Sequence, residues 1–342
     1  MRRTLIVRLD GAGDVLLAGP AVRAVAARAE VTMLCGKAGV GAAQLLPGVV
    51  DVLTWACPWI LADPPPIRRS DLDRLVAALA ERRFDEAVVL TSFHQSPLPT
   101  ALLLRLAGIT RITGASVDYP GALLDVRLRP GEDLPEDIPE PERMRAIAAA
   151  AGYPAADDDG LAVRSPPDVT ELVPEGPYVV VHPGADAAAR RWPASNAARA
   201  VGLLADAGWP VVVTGGLDEL ALTAAVAGSA GVDLGGRTDL AQLSGVVAGA
   251  SAVVVGNTGA AHLAAAVGTP VVSLFAPVVP AVRWRPYRVP HVLLGDQHAA
   301  CRGSRARECP VPGHPCLADV TPDAVVSAVA ALTRTPVAQV SA

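Results

Sequence analysis

VRLDGAGDVLLAGPAVRAV, residues 7–25, runs from an apolar strand through a glycine-rich turn into an alanine- and valine-rich helix. Strand, tight turn and helix in that order open a βαβ unit, the repeat from which parallel sheets are built. Asp14 stands where the turn meets the helix. It has three readings: a helix cap, part of a dinucleotide loop, or a group that takes a proton.

The dinucleotide reading fails on spacing. Gly11 and Gly13 supply G-x-G, but the third glycine position, two residues beyond Asp14, is Leu16. An aspartate at the mouth of the loop would also repel a pyrophosphate seated on the helix N-terminus. Capping is plausible chemistry, because a carboxylate accepts from the free N–H groups of a first turn and suits the helix dipole. It does not account for the two glycines, which leave the carboxylate open on one side. A capped carboxylate still takes a proton from a hydroxyl whose oxygen is becoming a nucleophile.

Working outward, apolar strand-like runs alternate with helical ones: strands at 4–9, 31–35, 49–55 and 86–91, helices at 15–28, 71–83 and 98–107. The pattern recurs with strands at 178–184, 210–216, 232–236, 252–257 and 270–276 and helices near 194–207, 218–228, 239–249 and 260–267. Continuous β-branched runs between helices predict parallel sheets covered on both faces. The fold class is α/β, with two Rossmann-like doubly wound domains facing a cleft. Residues 1–160 form the first domain, 161–176 a Pro- and Asp-rich linker, 177–320 the second domain, and 321–342 a terminal helix and tail.

Composition narrows the function. Hydrophobic residues are 51% and charged residues 18%, ample for two cores, and the net charge of −5 argues against a general nucleic-acid binder. The most apolar window, HLAAAVGTPVVSLFAPVVPAV, is broken by Gly268, Pro270, Pro277 and Pro280 and reads as helix, turn and buried strand. The N-terminus enters a strand directly, so a cytoplasmic protein with at most peripheral membrane contact is expected.

In doubly wound sheets ligands bind at the carboxyl ends of strands. Two loops of the second half lie there. HPGADAAARRWP, 182–193, carries Arg190 and Arg191, adjacent cations that suit a diphosphate or a solvated surface equally well. VVVGNTGAAHLAAAVGTP, 253–270, ends a strand at Gly256 and opens a helix at Thr258 and Gly259. Free backbone N–H groups over 258–261, Ala260 included, make an anion site without a cation. His262, in the first turn, reads as a packing histidine or a phosphate donor.

Three blocks of the chain resemble glycosyltransferase family 9, which contains the ADP-heptose:lipopolysaccharide heptosyltransferases. RLDGAGDVLLAGPAVRA resembles the family's R-x-x-x-x-G-D-V block. HPGADAAARRWPASNAARAVGLLADAGWPVVVTGGLDE resembles P-G-A…K-R-W-P followed by T-G-G and an acidic residue. DLGGRTDLAQLSGVVAGASAVVVGNTGAAHLAAAVGTPVVSLFAP resembles D-L-x-G-x-T-x-L…D-T-G-x-x-H-L-A-A-A-x-G-x-P. The resemblance implies a two-domain GT-B fold and an inverting transfer without metal or cofactor. It implies a nucleoside diphosphate sugar donor, ADP-heptose favoured, on the second domain and a glycan or glycolipid acceptor on the first. By position Asp14 matches the base, Arg190 a lysine that steadies the diphosphate, Glu219 an acid that binds the ribose, and Thr258, Gly259 and His262 the phosphate-binding turn. Asn257 departs from the family's aspartate beside that turn.

Two other readings stand beside transfer: a sugar-nucleotide epimerase or hydrolase of the same build, and a non-catalytic nucleotide-sugar-binding protein, which Asn257 keeps open. Cys301, Cys309 and Cys316, with His298 and His314 nearby, are spaced too loosely for a CxxC zinc pair and are expected as reduced thiols near the cleft rim. Cys35 and Cys57 read as buried small hydrophobes.

Overall fold

A computed structural model of the protein describes residues 1–61, 63–155 and 159–334. The tail expected over 335–342 lies outside the described residues. The chain divides into two compact units, Met1–Arg164 and Ser165–Ala342. The division falls inside the Pro- and Asp-rich segment. Arg164 belongs to the first unit, its N–H on Leu45 O at 2.7 Å and its Nη2 on Val49 O at 2.6 Å. Val169, Leu172 and Val173 pack against the core of the second.

The first unit holds a six-stranded sheet of β1 (Arg2–Arg8), β2 (Ala29–Cys35), β3 (Val49–Thr54), β4 (Glu86–Val89), β5 (Arg111–Ala115) and β6 (Val126–Leu128), all parallel, in the order β3-β2-β1-β4-β5-β6. The second unit repeats it with β7 (Val179–His182), β8 (Val211–Val213), β9 (Gly231–Asp233), β10 (Ala252–Gly256), β11 (Val271–Leu274) and β12 (His291–Leu294), in the order β12-β11-β10-β7-β8-β9. Each sheet thus has its first strand beside its fourth, and the winding direction reverses between them. Each unit is thus a doubly wound α/β fold. The central strands have both faces covered: every residue of β10 is buried, as are the last five of β1.

Departures from the sequence reading have local causes. The helix expected over 15–28 is two helices, Ala12–Leu17 and Gly19–Ala26. Pro20 has no N–H to give to the preceding turn and cannot continue that ladder. β5, β6, β12 and the helix Glu140–Ala150 were not anticipated. The terminal helix Pro322–Arg334 lies on the helix Ala194–Asp206 and on β10, β11 and β12.

Cys301 and Cys316 are buried in one apolar cluster with Leu317, Val325 and Val329, and Cys309 is half-buried against it. All are free thiols, and burial pushes Cys316 up to about 12, with Cys301 and Cys309 adding to the shift. Cys35 and Cys57 are fully buried as expected. Among the described residues no helix is long and apolar enough to cross a membrane.

A buried carboxylate also closes the amino end of the first sheet. Glu86 accepts from Thr4 Oγ1 at 2.9 Å and from the Tyr153 hydroxyl, with Arg111 Nε 3.5 Å away. That is the structural end of the strands. Leu5, fully buried in β1, tests the first core: Leu5→Ala is expected to lower stability by about 2–5 kcal/mol, read from the shift in urea midpoint.

Candidate functional site

In each unit the loops after the first and fourth strands part at the reversal of strand order, which leaves strand-end groups uncovered. In the first unit Arg8 ends β1 and is fully buried. Its Nη2 donates to Asp14 Oδ1 at 2.8 Å and to Ser92 Oγ at 2.7 Å, and its Nη1 to Leu90 O at 3.3 Å. Its Nε lies 3.1 Å from Asp10 Oδ2. Gln95 donates to the other Asp10 oxygen and accepts the Ser92 N–H at 3.0 Å. Behind this group Arg143, itself buried, reaches Thr91 O at 3.4 Å and Glu136 at 2.9 Å.

Burial alone would lower the Arg8 pKa. Asp10, Asp14 and the fully buried Glu140 outweigh it, and the guanidinium is held above its ordinary value. The Asp10 carboxyl is pushed up, chiefly by burial; Arg8 opposes the shift and Asp14 adds to it.

The structure corrects the capping reading of Asp14. Gly11 occupies the cap position, and Asp14 is the third residue of the helix Ala12–Leu17. Its carboxylate faces Arg8 with 29% of the side chain exposed. Nothing lies within 4 Å of where a Gly11 side chain would start, so the loop stays open in front of the acid.

In the second unit the loop carrying Arg190 crosses the end of β10. A side chain on Gly256 would begin 2.8 Å from Arg190 O, so the crossing needs glycine. Arg190 Nη1 reaches Asn257 O at 3.5 Å, which brings its charge to the start of the helix Gly259–Ala266. Thr258 caps that helix in extended conformation. Thr258 N–H bonds Gly256 O at 2.9 Å and Ala261 N–H bonds Thr258 O at 3.1 Å. The anion site expected over 258–261 therefore narrows to the Gly259 and Ala260 N–H groups, which have no intrahelical acceptor. His262 is buried in the same first turn. Asn257 is buried with its amide paired to both backbone groups of Ala276, at 3.4 Å each. Arg191 is not drawn into this group: its Nε donates to Ala185 O at 2.7 Å. The Arg190 loop is anchored by Ala189, whose N–H donates to Arg307 O at 2.8 Å and whose carbonyl lies 3.1 Å from His314 Nε2.

On the other flank of β7, Glu219 Oε2 accepts the Gly216 N–H at 2.9 Å, and its carboxylate sits where a Gly184 side chain would be, 1.9 Å from that position. His182, last in β7, places Nδ1 3.0 Å from Thr214 Oγ1. Burial holds its pKa below the ordinary value, although Glu219 and Asp186 pull the other way. The sequence reading gave no role to Arg8, Asp10, Ser92, Gln95 or His182. The usable signal was positional: Arg8 and His182 each follow the apolar run of their half's first strand.

The sequence model of glycosyltransferase family 9 (heptosyltransferase) matches residues 72–314, well over half of the chain. The chain belongs to that family. It is a glycosyltransferase, and no curated protein matches it. The fold is shared with E. coli ADP-heptose lipopolysaccharide heptosyltransferase II at 22% identity and a TM-score of 0.74, covering 97% of this chain and 98% of that one. A family 9 glycosyltransferase from Veillonella parvula gives 15% and 0.76, with 97% of each chain covered. E. coli heptosyltransferase WaaC with ADP gives 22% and 0.66, covering 95% and 96%.

In this family 9 enzyme the two buried polar groups beside β7 and β10 give pH-dependent tests. Asn257→Asp sets a carboxylate against Ala276 O, so the folded state raises that carboxyl's pKa. Destabilisation of about 1–3 kcal/mol is expected at neutral pH, fading below about pH 4, in urea unfolding at pH 7 and pH 4. His182 has the opposite sign. Its folded pKa is depressed, so wild-type stability is fully present above about pH 6.5 and falls as the pH drops through that value. His182→Gln, which keeps a donor for Thr214, is expected to flatten that slope between pH 7.5 and pH 5.

Proposed function

We propose that the enzyme transfers a heptose, or a closely related sugar, from a nucleoside diphosphate to a hydroxyl of a glycan or glycolipid, with inversion and without a metal. The observation that carries the reading is the Asp14 carboxylate, partly exposed at the carboxyl end of β1 and gripped by a fully buried arginine 2.8 Å away. A carboxylate so held can remove the proton of an acceptor hydroxyl as its oxygen attacks the anomeric carbon. Attack from the face opposite the departing diphosphate inverts the anomeric configuration.

The leaving group gains negative charge as its bond to the sugar breaks. Arg190 at the helix start, the Gly259 and Ala260 N–H groups and His262 form the cradle that stabilises it. Glu219, held in place by the Gly216 N–H, is the acceptor for ribose hydroxyls. ADP-heptose is the favoured donor. That choice is supported by fold relatives described as an ADP-heptose transferase and as WaaC with ADP and with ADP-2-deoxy-2-fluoro heptose.

Acceptor-dependent release of nucleoside diphosphate separates transfer from donor hydrolysis or epimerisation. Asp14→Asn is expected to bind the donor as the wild type does in calorimetry and to lose about 10²–10⁴-fold in turnover. Full turnover in that variant would remove Asp14 from the chemistry.

A further inference from the structure

We propose that Arg8 is the positioning residue for Asp14, a single buried guanidinium that serves as counter-charge to the Asp10 and Asp14 carboxylates together and aims the second of them. The inference rests on Asp14 being the base of the proposed transfer. Arg8 engages four groups: it donates to Asp14 and Ser92 from Nη2 and to the Leu90 carbonyl from Nη1, and its Nε pairs with the Asp10 charge at 3.1 Å. The guanidinium is planar and rigid, so with Nη1 tied to the β4 end and Nη2 tied to Ser92, the remaining direction of Nη2 is held on Asp14. Gln95 holds Asp10 from its other oxygen, which makes Asp10 the fixed end of the arrangement and Asp14 the presented one.

The charges make the same case. Two aspartates within reach of one another cannot both stay charged cheaply in a buried setting without a cation between them. Asp10 lies well inside, with its carboxyl already pushed up by burial and by Asp14. Other charged or titratable groups around the cluster include Glu140 and Arg143 from the helix Glu140–Ala150, Glu136 paired to Arg143, and the Cys57 thiol. Arg143 donates to Glu136 and Thr91 O, and Arg8 stands at hydrogen-bond distance from Asp14. Removing Arg8 would leave the two carboxylates without that counter-charge.

The test is a titration of the full-length protein carrying ¹³Cγ-labelled aspartate, followed by NMR. Asp14→Asn and Asp10→Asn identify the two resonances. In Arg8→Met the Asp14 midpoint is expected to rise by about 1–3 pH units, the usual effect of losing an opposite charge at contact. Arg8→Lys, which keeps a charge but not the fork, is expected to shift it less. Arg8→Met with Asp10→Asn is expected to return the midpoint toward the wild-type value, because one carboxylate no longer needs a counter-charge.

A merely structural arginine would give no such restoration. An unmoved midpoint in Arg8→Met, or a shift that persists in the double variant, overturns the proposal. Should Arg8→Met fail to fold, Asp10→Asn alone decides: a lower Asp14 midpoint supports the shared counter-charge, and an unchanged one overturns it. None of these readings uses a substrate. The role of Arg8 is therefore judged separately from the turnover of Asp14→Asn, on which the transfer mechanism stands or falls.

Discussion

Parallel strands joined by right-handed crossovers can be laid outward from a first strand in one direction, and the chain must then return to lay the rest on the other side. That return is the constraint on which this molecule depends. It puts β4 beside β1 and β10 beside β7, the same strand order in both sheets. At each reversal the following loops lead to opposite faces of the sheet and leave strand-end groups uncovered. Asp14, Glu219, Arg190 and the Thr258 turn all sit on the connections that follow β1, β7, β8 or β10, at or beside those two points.

The two reversals carry different chemistry from a similar start. Arg8 and His182 each end the first strand of a sheet, and each presents a basic group in a buried setting. Arg8 meets carboxylates, so its charge is retained and set against theirs. His182 meets the hydroxyl of Thr214, and burial favours its neutral form. The first point thereby sets a buried cation against carboxylates. At the second, Gly184 and Gly256 let a carboxylate and a backbone carbonyl come close to the strand ends, beside the start of the helix Gly259–Ala266 and Arg190.

The elements that escaped the sequence reading escaped for a physical reason. The helix Glu140–Ala150 buries Glu140 and Arg143, so its charges lie on the inner face and its periodicity is hidden. β5 begins on an arginine and holds Gly114 where Pro97 packs against it. β6 is three residues long with Arg127 at its centre. Such segments are strands because a neighbouring strand is there to pair with, and pairing is not written in a local pattern. The long β-branched strands and the alanine-rich helices needed no such help.

The sequence by itself determined that the chain builds two doubly wound α/β halves, and that an acid at 14 and a glycine–threonine helix start at 258–259 occupy strand-end loops. Apolar period and turn chemistry act over a few residues and can be read there. Only the tertiary structure decided what those groups do with their neighbours. It put Gly11 rather than Asp14 at the cap, gave Asp14 to Arg8, turned Asn257 toward Ala276, sent Arg191 to a loop carbonyl and buried the cysteines. Hydrogen-bond partners and burial are set by segments far apart in the chain, such as Arg8 and Ser92, whose contact exists only once β1 and β4 lie side by side.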